Sequence, residues 1–229
     1  MATAIVTGIS GNLGKATADK LLASGYKVAG SYSSKRPVPY DGTPGCSLFQ
    51  ADLTDEKSAL GFVTDASATL GYIDVAVLTV GGFAMADLAA ADTAAVEKML
   101  LLNFYTAYNV ARPVFDIMKK QGRGRIFLVG SLAGETPSGN RYAIPYALAK
   151  SLVGELASIL NAEAGDKPIV TSLVIPSTID TMDNRRSMPD ADTSTWVSPE
   201  TIAEVIEWYA SPAAARLRQP VINITGKSV

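Results

Sequence analysis

The chain has 229 residues, 48% of them hydrophobic, and a formal net charge of −2 at pH 7. This length and apolar content suit one α/β domain with a sizeable core, and the balanced charge excludes the basic surface of a nucleic-acid-binding protein. Histidine is absent, which excludes Ser-His-Asp catalysis and most zinc sites, so we predict no metal.

Targeting and membrane signals are missing from the sequence. The first residues, MATAIVTGISG, lack the basic stretch and long apolar run of a signal peptide. No segment approaches the roughly eighteen uninterrupted apolar residues of a membrane-spanning helix. The single cysteine, Cys46, cannot form an internal disulfide and fits a reducing compartment. We therefore expect a soluble, cytoplasmic protein without a membrane partner.

Short β-rich segments alternate with segments of helical periodicity along the chain. This alternation predicts βα units around a parallel sheet, and strands that are apolar on consecutive residues indicate helices on both sheet faces. Predicted strands span residues 3–7, 27–31, 47–50, 74–79, 124–130, 168–175 and 221–224, and predicted helices span about 12–24, 55–70, 92–120, 142–163 and 199–210. Because no linker or repeat is found, we predict one domain over residues 1–229.

Three glycines follow the first predicted strand. In AIVTGISGNLGKATADKLLASG, Gly8, Gly11 and Gly14 lie three residues apart between a strand and a helix. Glycine permits a left-handed backbone, leaves room for a pyrophosphate and lets helix and strand approach closely, while N–H groups at the helix start attract phosphates. We predict that a bound dinucleotide contacts Gly8, Ser10, Gly11, Asn12, Leu13 and Gly14. A purely structural turn is the alternative.

The end of the second predicted strand bears on the choice of cofactor. NAD-binding chains place an acidic residue there for the ribose 2′-hydroxyl, whereas this chain has SYSSKR over residues 31–36. Hydroxyls and two cations suit a 2′-phosphate. We predict that Ser33, Lys35 and Arg36 favour NADP(H), with NAD(H) as the alternative cofactor; a simple solvated turn would also explain the two cations.

Asp52 ends the third predicted strand, in FQADLTD. This position suits a contact with the adenine edge of a dinucleotide, and we assign the neighbouring Leu53 to the same region. A helix-capping aspartate is the alternative reading of Asp52.

Two tyrosines precede a lysine in RYAIPYALAK, residues 141–150. On a helix, residues four apart share a face, so Tyr146 pairs with Lys150. Tyr142 would be separated from Lys150 by about 12 Å of helical rise, which is too far for pairing. A nearby ammonium favours the phenolate and lowers a tyrosine pKa, which would make Tyr146 a general acid or base in a protein without histidine. Tyr142 is a candidate for the border of the substrate site.

Two further polar residues accompany this pair. Ser131 ends a strand in FLVGSLAG, where its hydroxyl is placed to hydrogen-bond a substrate carbonyl. Asn103 interrupts an apolar helix in LLNFYTAYNV, and a buried asparagine requires partners. A local bend that holds a water beside Lys150 is the functional interpretation, and a satisfied structural asparagine is the alternative.

These motifs together resemble the short-chain dehydrogenase/reductase family along essentially the whole chain. The resemblance implies a Rossmann-like, doubly wound domain with about seven parallel strands and a catalytic tetrad of Asn103, Ser131, Tyr146 and Lys150. In that family the tyrosine passes a proton to the substrate oxygen while nicotinamide C4 delivers hydride, the lysine also binds the nicotinamide ribose, and the serine positions the carbonyl. In IPSTIDT (175–181) the resemblance implies contacts of the carboxamide with Ile179 and of the phosphates with Thr181; Gly81 and Pro176 are further cofactor residues.

The long polar segment 176–198 carries a narrower resemblance. A structureless loop of this length is usually a lid or disordered, and STIDTMDNRRSMPDADTSTW resembles the matching segment of dihydropteridine reductases, as does LTVGGFA (78–84). Arg185 and Trp196 are therefore candidate substrate contacts. That branch has an acidic residue where this chain has Tyr32 and commonly lacks the serine kept here as Ser131.

We predict an NAD(P)H-dependent oxidoreductase that transfers hydride to a small carbonyl or quinonoid dihydropteridine. Alternatives in the same family are a 3-oxoacyl-thioester reductase and an alcohol dehydrogenase, and an alternative of another class is a non-catalytic NADP(H)-sensing regulator. The predicted helices 92–120 and 142–163 carry many apolar residues, which favours burial of some of them in a homodimer or homotetramer; ordinary burial against the sheet is the alternative.

Overall fold

The computed structural model of the chain describes residues 1–33, 38–136, 140–218 and 220–226. Its strands are β1 Thr3–Thr7, β2 Lys27–Tyr32, β3 Cys46–Gln50, β4 Val75–Leu78, β5 Gly124–Val129, β6 Ile169–Pro176 and β7 Val221–Ile224. They form one sheet in the order β3-β2-β1-β4-β5-β6-β7, and every neighbouring pair is parallel. The predicted Rossmann-like fold is confirmed, and the strand order reverses between β1 and β4, where such folds bind ligands.

Helices cover both faces of the sheet. They are α1 Asn12–Ala23, α2 Glu56–Leu70, α3 Thr93–Met99, α4 Thr106–Gln121, α5 Leu132–Glu135, α6 Ile144–Ala164, α7 Met182–Ser187 and α8 Pro199–Ala210. One core lies under α2, α4 and α6, and the other lies under α1 and α8. Ile126 and Phe127, neighbours in β5, are both fully buried in opposite cores. Because successive strand residues face opposite sides, a strand covered twice must be apolar throughout.

Two helix starts follow the sequence signals. The Asp55 carboxylate accepts a hydrogen bond from the Ser58 backbone N–H at 2.7 Å, which caps α2. The Ser198 hydroxyl accepts one from the Thr201 backbone N–H at 3.0 Å, and Pro199 occupies the first turn of α8. Both caps satisfy backbone N–H groups that a helix start leaves without intrahelical partners.

The predicted helix over residues 92–120 is not continuous. A π-helical segment, Leu100–Tyr105, separates α3 from α4 and places Asn103 at the interruption. The wider turn is compatible with the sequence because asparagine is a poor former of regular helix. The bend expected at Asn103 is therefore present as a π-bulge.

The segment 176–198 is more ordered than a structureless loop. It contains α7 and a 3-10 turn at Thr193–Thr195. Its two ends are joined by hydrogen bonds from the Val197 N–H to the Thr178 carbonyl at 2.9 Å and from the Asp180 N–H to the Val197 carbonyl at 2.8 Å. Among the described residues, no helix combines the length and apolar character needed to cross a bilayer.

Candidate active site

The glycine turn after β1 has the geometry that its sequence predicts. Gly8 has a φ of 64°, a left-handed conformation that favours glycine. The Gly11 N–H donates to the Gly8 carbonyl at 2.8 Å, and a Cβ on Gly14 would lie 2.2 Å from that carbonyl oxygen. The buried Ser31 hydroxyl accepts a hydrogen bond from the Gly8 N–H at 3.3 Å, which ties the turn to the end of β2.

This turn suits a diphosphate. Helix α1 begins at Asn12, directly after Gly11, which has no side chain to cap the helix, and the first turn carries no acidic residue. Its N–H groups and partial positive charge are thus directed to the ligand-binding edge of the sheet. Ser10 and Gly11 are half-buried and Asn12 is exposed, while Leu13 is buried in the core under α1. The residues present fit a nicotinamide dinucleotide.

The residues assigned to the adenosine ribose lie partly outside the described ranges. Ser33 follows β2 and is exposed, and Tyr32 is half-buried. Lys35 and Arg36, on which the preference for NADP(H) depends, lie outside the described residues. That preference therefore stays a prediction.

Asp52 and Leu53 follow β3 and have different environments. Asp52 is exposed, and its carboxylate accepts hydrogen bonds from the Thr54 N–H at 2.9 Å and the Thr54 hydroxyl at 2.6 Å. The Leu53 side chain is buried in the core, and its carbonyl accepts a hydrogen bond from the Asn109 amide at 3.0 Å. Any contact of Leu53 with a dinucleotide must therefore come from its backbone.

Ser131, Tyr146 and Lys150 come together at the carboxyl end of β5. The buried Lys150 Nζ lies 5.8 Å from the centroid of the Tyr146 ring and donates to the Val129 carbonyl at 2.8 Å. The Ser131 hydroxyl lies close enough to the Tyr146 phenol to lower its pKa, and its Oγ accepts from the Ala133 N–H at 3.2 Å at the start of α5. Ser131 and Tyr146, which are fifteen positions apart in the sequence, are thus neighbours in the fold.

The pKa of Tyr146 shifts in the direction opposite to the sequence-based expectation. Burial raises the pKa of the phenol, and the neighbouring Ser131 hydroxyl offsets this only in part. Burial also lowers the pKa of the Lys150 ammonium to about 8. The ammonium donates to the Val129 carbonyl and lies over the Tyr146 ring, so it does not compensate the phenolate for lost hydration. Tyr146 therefore holds its proton at neutral pH.

Asn103 has partners for both ends of its amide. It is buried, its Oδ1 accepts from the Gly82 N–H at 3.1 Å, and its Nδ2 donates to the Met99 carbonyl at 3.1 Å. A Cβ on Gly81 would lie 2.7 Å from this Oδ1 and 3.5 Å from Lys150 Nζ. Asn103 thus joins the π-bulge to the loop after β4, and Gly81 brings this loop against Lys150. The role of Asn103 in the tetrad stays a prediction.

The cofactor residues assigned after β6 have defined structural roles. Pro176 ends β6, and Ile179 forms a β-bridge with Val197. The Thr181 hydroxyl caps α7 by accepting a hydrogen bond from the Asn184 N–H at 3.1 Å. These contacts hold the first part of the segment 176–198 at the end of β6.

The three candidate substrate residues differ in availability. Arg185 donates two hydrogen bonds to the Asp180 carboxylate, at 2.6 and 2.7 Å, so part of its guanidinium is already paired, and its assignment as a substrate contact stays a prediction. Trp196 is half-buried beside the 3-10 turn. Tyr142 precedes α6 rather than lying on it; it is exposed, with the Arg141 guanidinium 4.9 Å from its ring centroid.

Sequence reasoning missed the aromatic neighbour of Tyr146. The Phe83 ring centroid lies 5.0 Å from that of Tyr146, with an interplanar angle of 79°. Its only sequence signal is an aromatic residue directly after the glycine pair that follows β4. Among the described residues, no group of three or more His, Cys, Asp or Glu side chains is arranged to hold a metal ion.

The fold and this site define an oxidoreductase that uses a nicotinamide dinucleotide. The chain belongs to the short chain dehydrogenase family, whose sequence model matches residues 2–192. It is 25% identical over 237 residues to the 3-oxoacyl-[acyl-carrier-protein] reductase FabG of Vibrio cholerae, covering 97% of this chain and 95% of the relative. It is also 25% identical over 234 residues to an acetoacetyl-CoA reductase of Rhizobium meliloti, covering 97% and 96%.

Solved structures agree on the fold. The crystal structure of gox2181 matches with a TM-score of 0.87 at 23% identity, covering 97% of this chain and 93% of that one. The protein is thus an NAD(P)-dependent dehydrogenase or reductase that acts on a small-molecule substrate. The narrower resemblance to dihydropteridine reductases stays a prediction.

Proposed function

We propose that the protein reduces a carbonyl compound to an alcohol with NADPH and that Tyr146 is the general acid. One observation carries this proposal: the Tyr146 phenol lies beside Ser131, one helical turn before the buried Lys150, whose Nζ lies 5.8 Å from the centroid of the Tyr146 ring. These residues lie at the same edge of the sheet as the glycine turn, since both follow the carboxyl ends of parallel strands.

The residues divide the chemistry between them. Bound NADPH would supply a hydride from C4 of its nicotinamide to the carbonyl carbon. Tyr146 Oη donates its proton to the carbonyl oxygen, so that C=O becomes H–C–O–H. Ser131 Oγ donates to the same oxygen and stabilises the negative charge that develops on it. The Lys150 ammonium, which donates to the Val129 carbonyl beside the Tyr146 ring, would bind the nicotinamide ribose, as the family resemblance implies.

The direct test is Tyr146→Phe, which keeps the ring and removes the acid. We expect at least a roughly hundredfold loss of kcat, the usual contribution of general acid catalysis. The dissociation constant for NADPH, measured by the fluorescence of the nicotinamide, should stay unchanged. Full activity in Tyr146→Phe would contradict the proposal and favour the NADP(H)-sensing regulator.

We propose NADP(H) as the preferred cofactor. Support comes from the sequence after β2, where Ser33, Lys35 and Arg36 replace the acidic residue expected of an NAD(H) enzyme. In Lys35→Ala/Arg36→Ala, affinity for NADPH should fall while affinity for NADH stays constant. Equal affinities of the unaltered protein for the two cofactors would contradict this preference.

Two substrate classes have separate support. The similarity to a 3-oxoacyl-[acyl-carrier-protein] reductase and an acetoacetyl-CoA reductase favours 3-oxoacyl thioesters, whereas the resemblance of segment 176–198 favours quinonoid dihydropterins. Comparing NADPH oxidation with an acetoacetyl thioester and with a quinonoid dihydropterin separates them. Turnover of an alcohol with NADP⁺ but of neither carbonyl class would instead support an alcohol dehydrogenase.

We also propose that the chain forms a homodimer or homotetramer through α4, α6 and the π-bulge. These elements expose large apolar side chains, namely Leu101, Tyr105, Tyr108, Leu148, Leu152 and Ile159. Burying such side chains against a second copy would stabilise the assembly through the hydrophobic effect. Light scattering coupled to size-exclusion chromatography measures the assembly directly.

A further inference from the structure

We infer that Phe83 selects substrates whose carbonyl group is carried by a flat ring. This inference rests on the proposed carbonyl reduction and names its substrate class. It concerns a residue outside the tetrad, one that contacts the proton donor through its ring.

The Phe83 ring is exposed, although it lies against the half-buried Tyr146. It is 63% exposed, while its contact with Tyr146 is edge-to-face. Edge-to-face aromatic pairs are favourable, so the contact with Tyr146 orients the ring. The rest of the ring is apolar surface that a ligand can cover.

The backbone on the amino-terminal side of Phe83 is fixed by two glycines. A Cβ on Gly81 would lie 2.7 Å from Asn103 Oδ1, and a Cβ on Gly82 would lie 2.5 Å from Leu102 Cδ2. The Gly82 N–H donates to Asn103 Oδ1 at 3.1 Å. The backbone of Gly81 and Gly82, immediately before Phe83, therefore packs directly against the π-bulge.

The backbone on the other side of Phe83 is fixed to the start of α6. Ala86 forms a parallel β-bridge with Ala143, and the Ile144 N–H donates to the Ala86 carbonyl at 3.0 Å. The bridge also brings Met85 and Tyr142, which precede the two bridged alanines, alongside each other, and both are exposed. Phe83, Met85 and Tyr142 form what we call the apolar rim.

The position of the apolar rim constrains the substrate. A carbonyl oxygen that accepts hydrogen bonds from Tyr146 and Ser131 places the body of its molecule near the ring that contacts Tyr146. A flat ring can stack on Phe83 or meet its edge, whereas a short aliphatic chain covers little of it. The geometry thus favours cyclic and aromatic ketones or ring-conjugated substrates over linear 3-oxo compounds.

Binding measurements test this inference without requiring turnover. Dissociation constants for 1-tetralone, a flat bicyclic ketone, and ethyl acetoacetate, a linear 3-oxo ester, are measured by calorimetry with NADP⁺ present. The aromatic contact predicts that Phe83→Ala weakens binding of 1-tetralone by about tenfold. Binding of ethyl acetoacetate should change less than about twofold, and Phe83→Tyr should behave as the unaltered protein.

The matched control is Leu88→Ala, on the same segment but beyond the bridge at Ala86, where the side chain is 81% exposed. It should leave both constants unchanged. Equal losses for both ketones in Phe83→Ala, or no loss for either, would overturn the inference. If 1-tetralone binds as expected but no carbonyl compound oxidises NADPH, the proposed reduction fails while the role of Phe83 in binding stands.

Discussion

Replacing Lys150 by methionine should alter how the stability of the protein depends on pH. Lysine in the unfolded chain titrates near its usual pKa of 10.5, whereas burial lowers the pKa of Lys150 to about 8 in the folded protein. Between these values the unfolded state binds a proton that the folded state has released. The free energy of unfolding therefore rises as pH rises through this window.

The magnitude follows from the difference of about 2.5 pH units between the two pKa values. At about 1.36 kcal/mol per unit the full effect is about 3 kcal/mol, and about 2 kcal/mol of it falls between pH 7 and pH 9.5. The hydrogen bond from Lys150 to the Val129 carbonyl is lost in the variant at every pH. The difference in unfolding free energy between the unaltered protein and Lys150→Met should thus increase by about 2 kcal/mol across this range.

Urea unfolding followed by circular dichroism at pH 7 and pH 9.5 measures this difference. Lys119→Met is the matched control: Lys119 lies on the surface, where the Glu163 carboxylate at 2.5 Å raises its pKa. A lysine whose pKa is raised by folding contributes stability that is lost as pH rises. The difference in unfolding free energy between the unaltered protein and Lys119→Met must therefore not increase from pH 7 to pH 9.5. If the difference in unfolding free energy between the unaltered protein and Lys150→Met stays constant from pH 7 to pH 9.5, burial does not lower the pKa of Lys150.

Three further predictions test the cofactor turn, the direction of proton transfer and the assembly. Gly14→Ala should destabilise the protein or abolish NADPH binding, because its Cβ would lie 2.2 Å from the Gly8 carbonyl oxygen; Gly61→Ala, in the open interior of α2, should instead stabilise by about 1 kcal/mol in urea unfolding. Because burial raises the pKa of Tyr146 above 10.0, the rate of alcohol oxidation, which needs the phenolate, should increase steadily from pH 7 to pH 10, whereas carbonyl reduction should not; an oxidation rate that levels off near pH 7 would contradict this. Leu152→Arg, on the exposed face of α6, should yield monomers by light scattering, and an unchanged molar mass would place the interface elsewhere.

The regular elements could be predicted because their signals are local. Consecutive apolar residues such as Ile126 and Phe127 identify a strand covered on both faces. Asp55 and Ser198 mark helix starts through side chains that reach N–H groups only three residues on. The spacing of Tyr146 and Lys150 likewise places both on one helix face, whatever surrounds that helix.

The properties of the site depended on residues distant in sequence. The pKa direction of Tyr146 could not be read from its spacing to Lys150, because it depends on burial and on the Val129 carbonyl to which the ammonium donates. The pairing of Arg185 with Asp180 across the turn into α7 was not predicted either, although the two residues are close in sequence. The sequence did not predict the ordered structure of the segment 176–198. Its two ends are joined by backbone hydrogen bonds, which depend little on the identity of the side chains.

The sequence by itself determined the alternation of strands and helices and the glycine turn, since each depends on backbone preferences and periodicity within a few residues. The tetrad of Asn103, Ser131, Tyr146 and Lys150 rests on the family resemblance and stays a prediction. Only the tertiary structure decided that Tyr146 keeps its proton, that Asn103 is satisfied within a π-bulge and that Phe83 lies against the proton donor. These outcomes follow from desolvation and from contacts between segments that the fold brings together, and both depend on the whole chain at once.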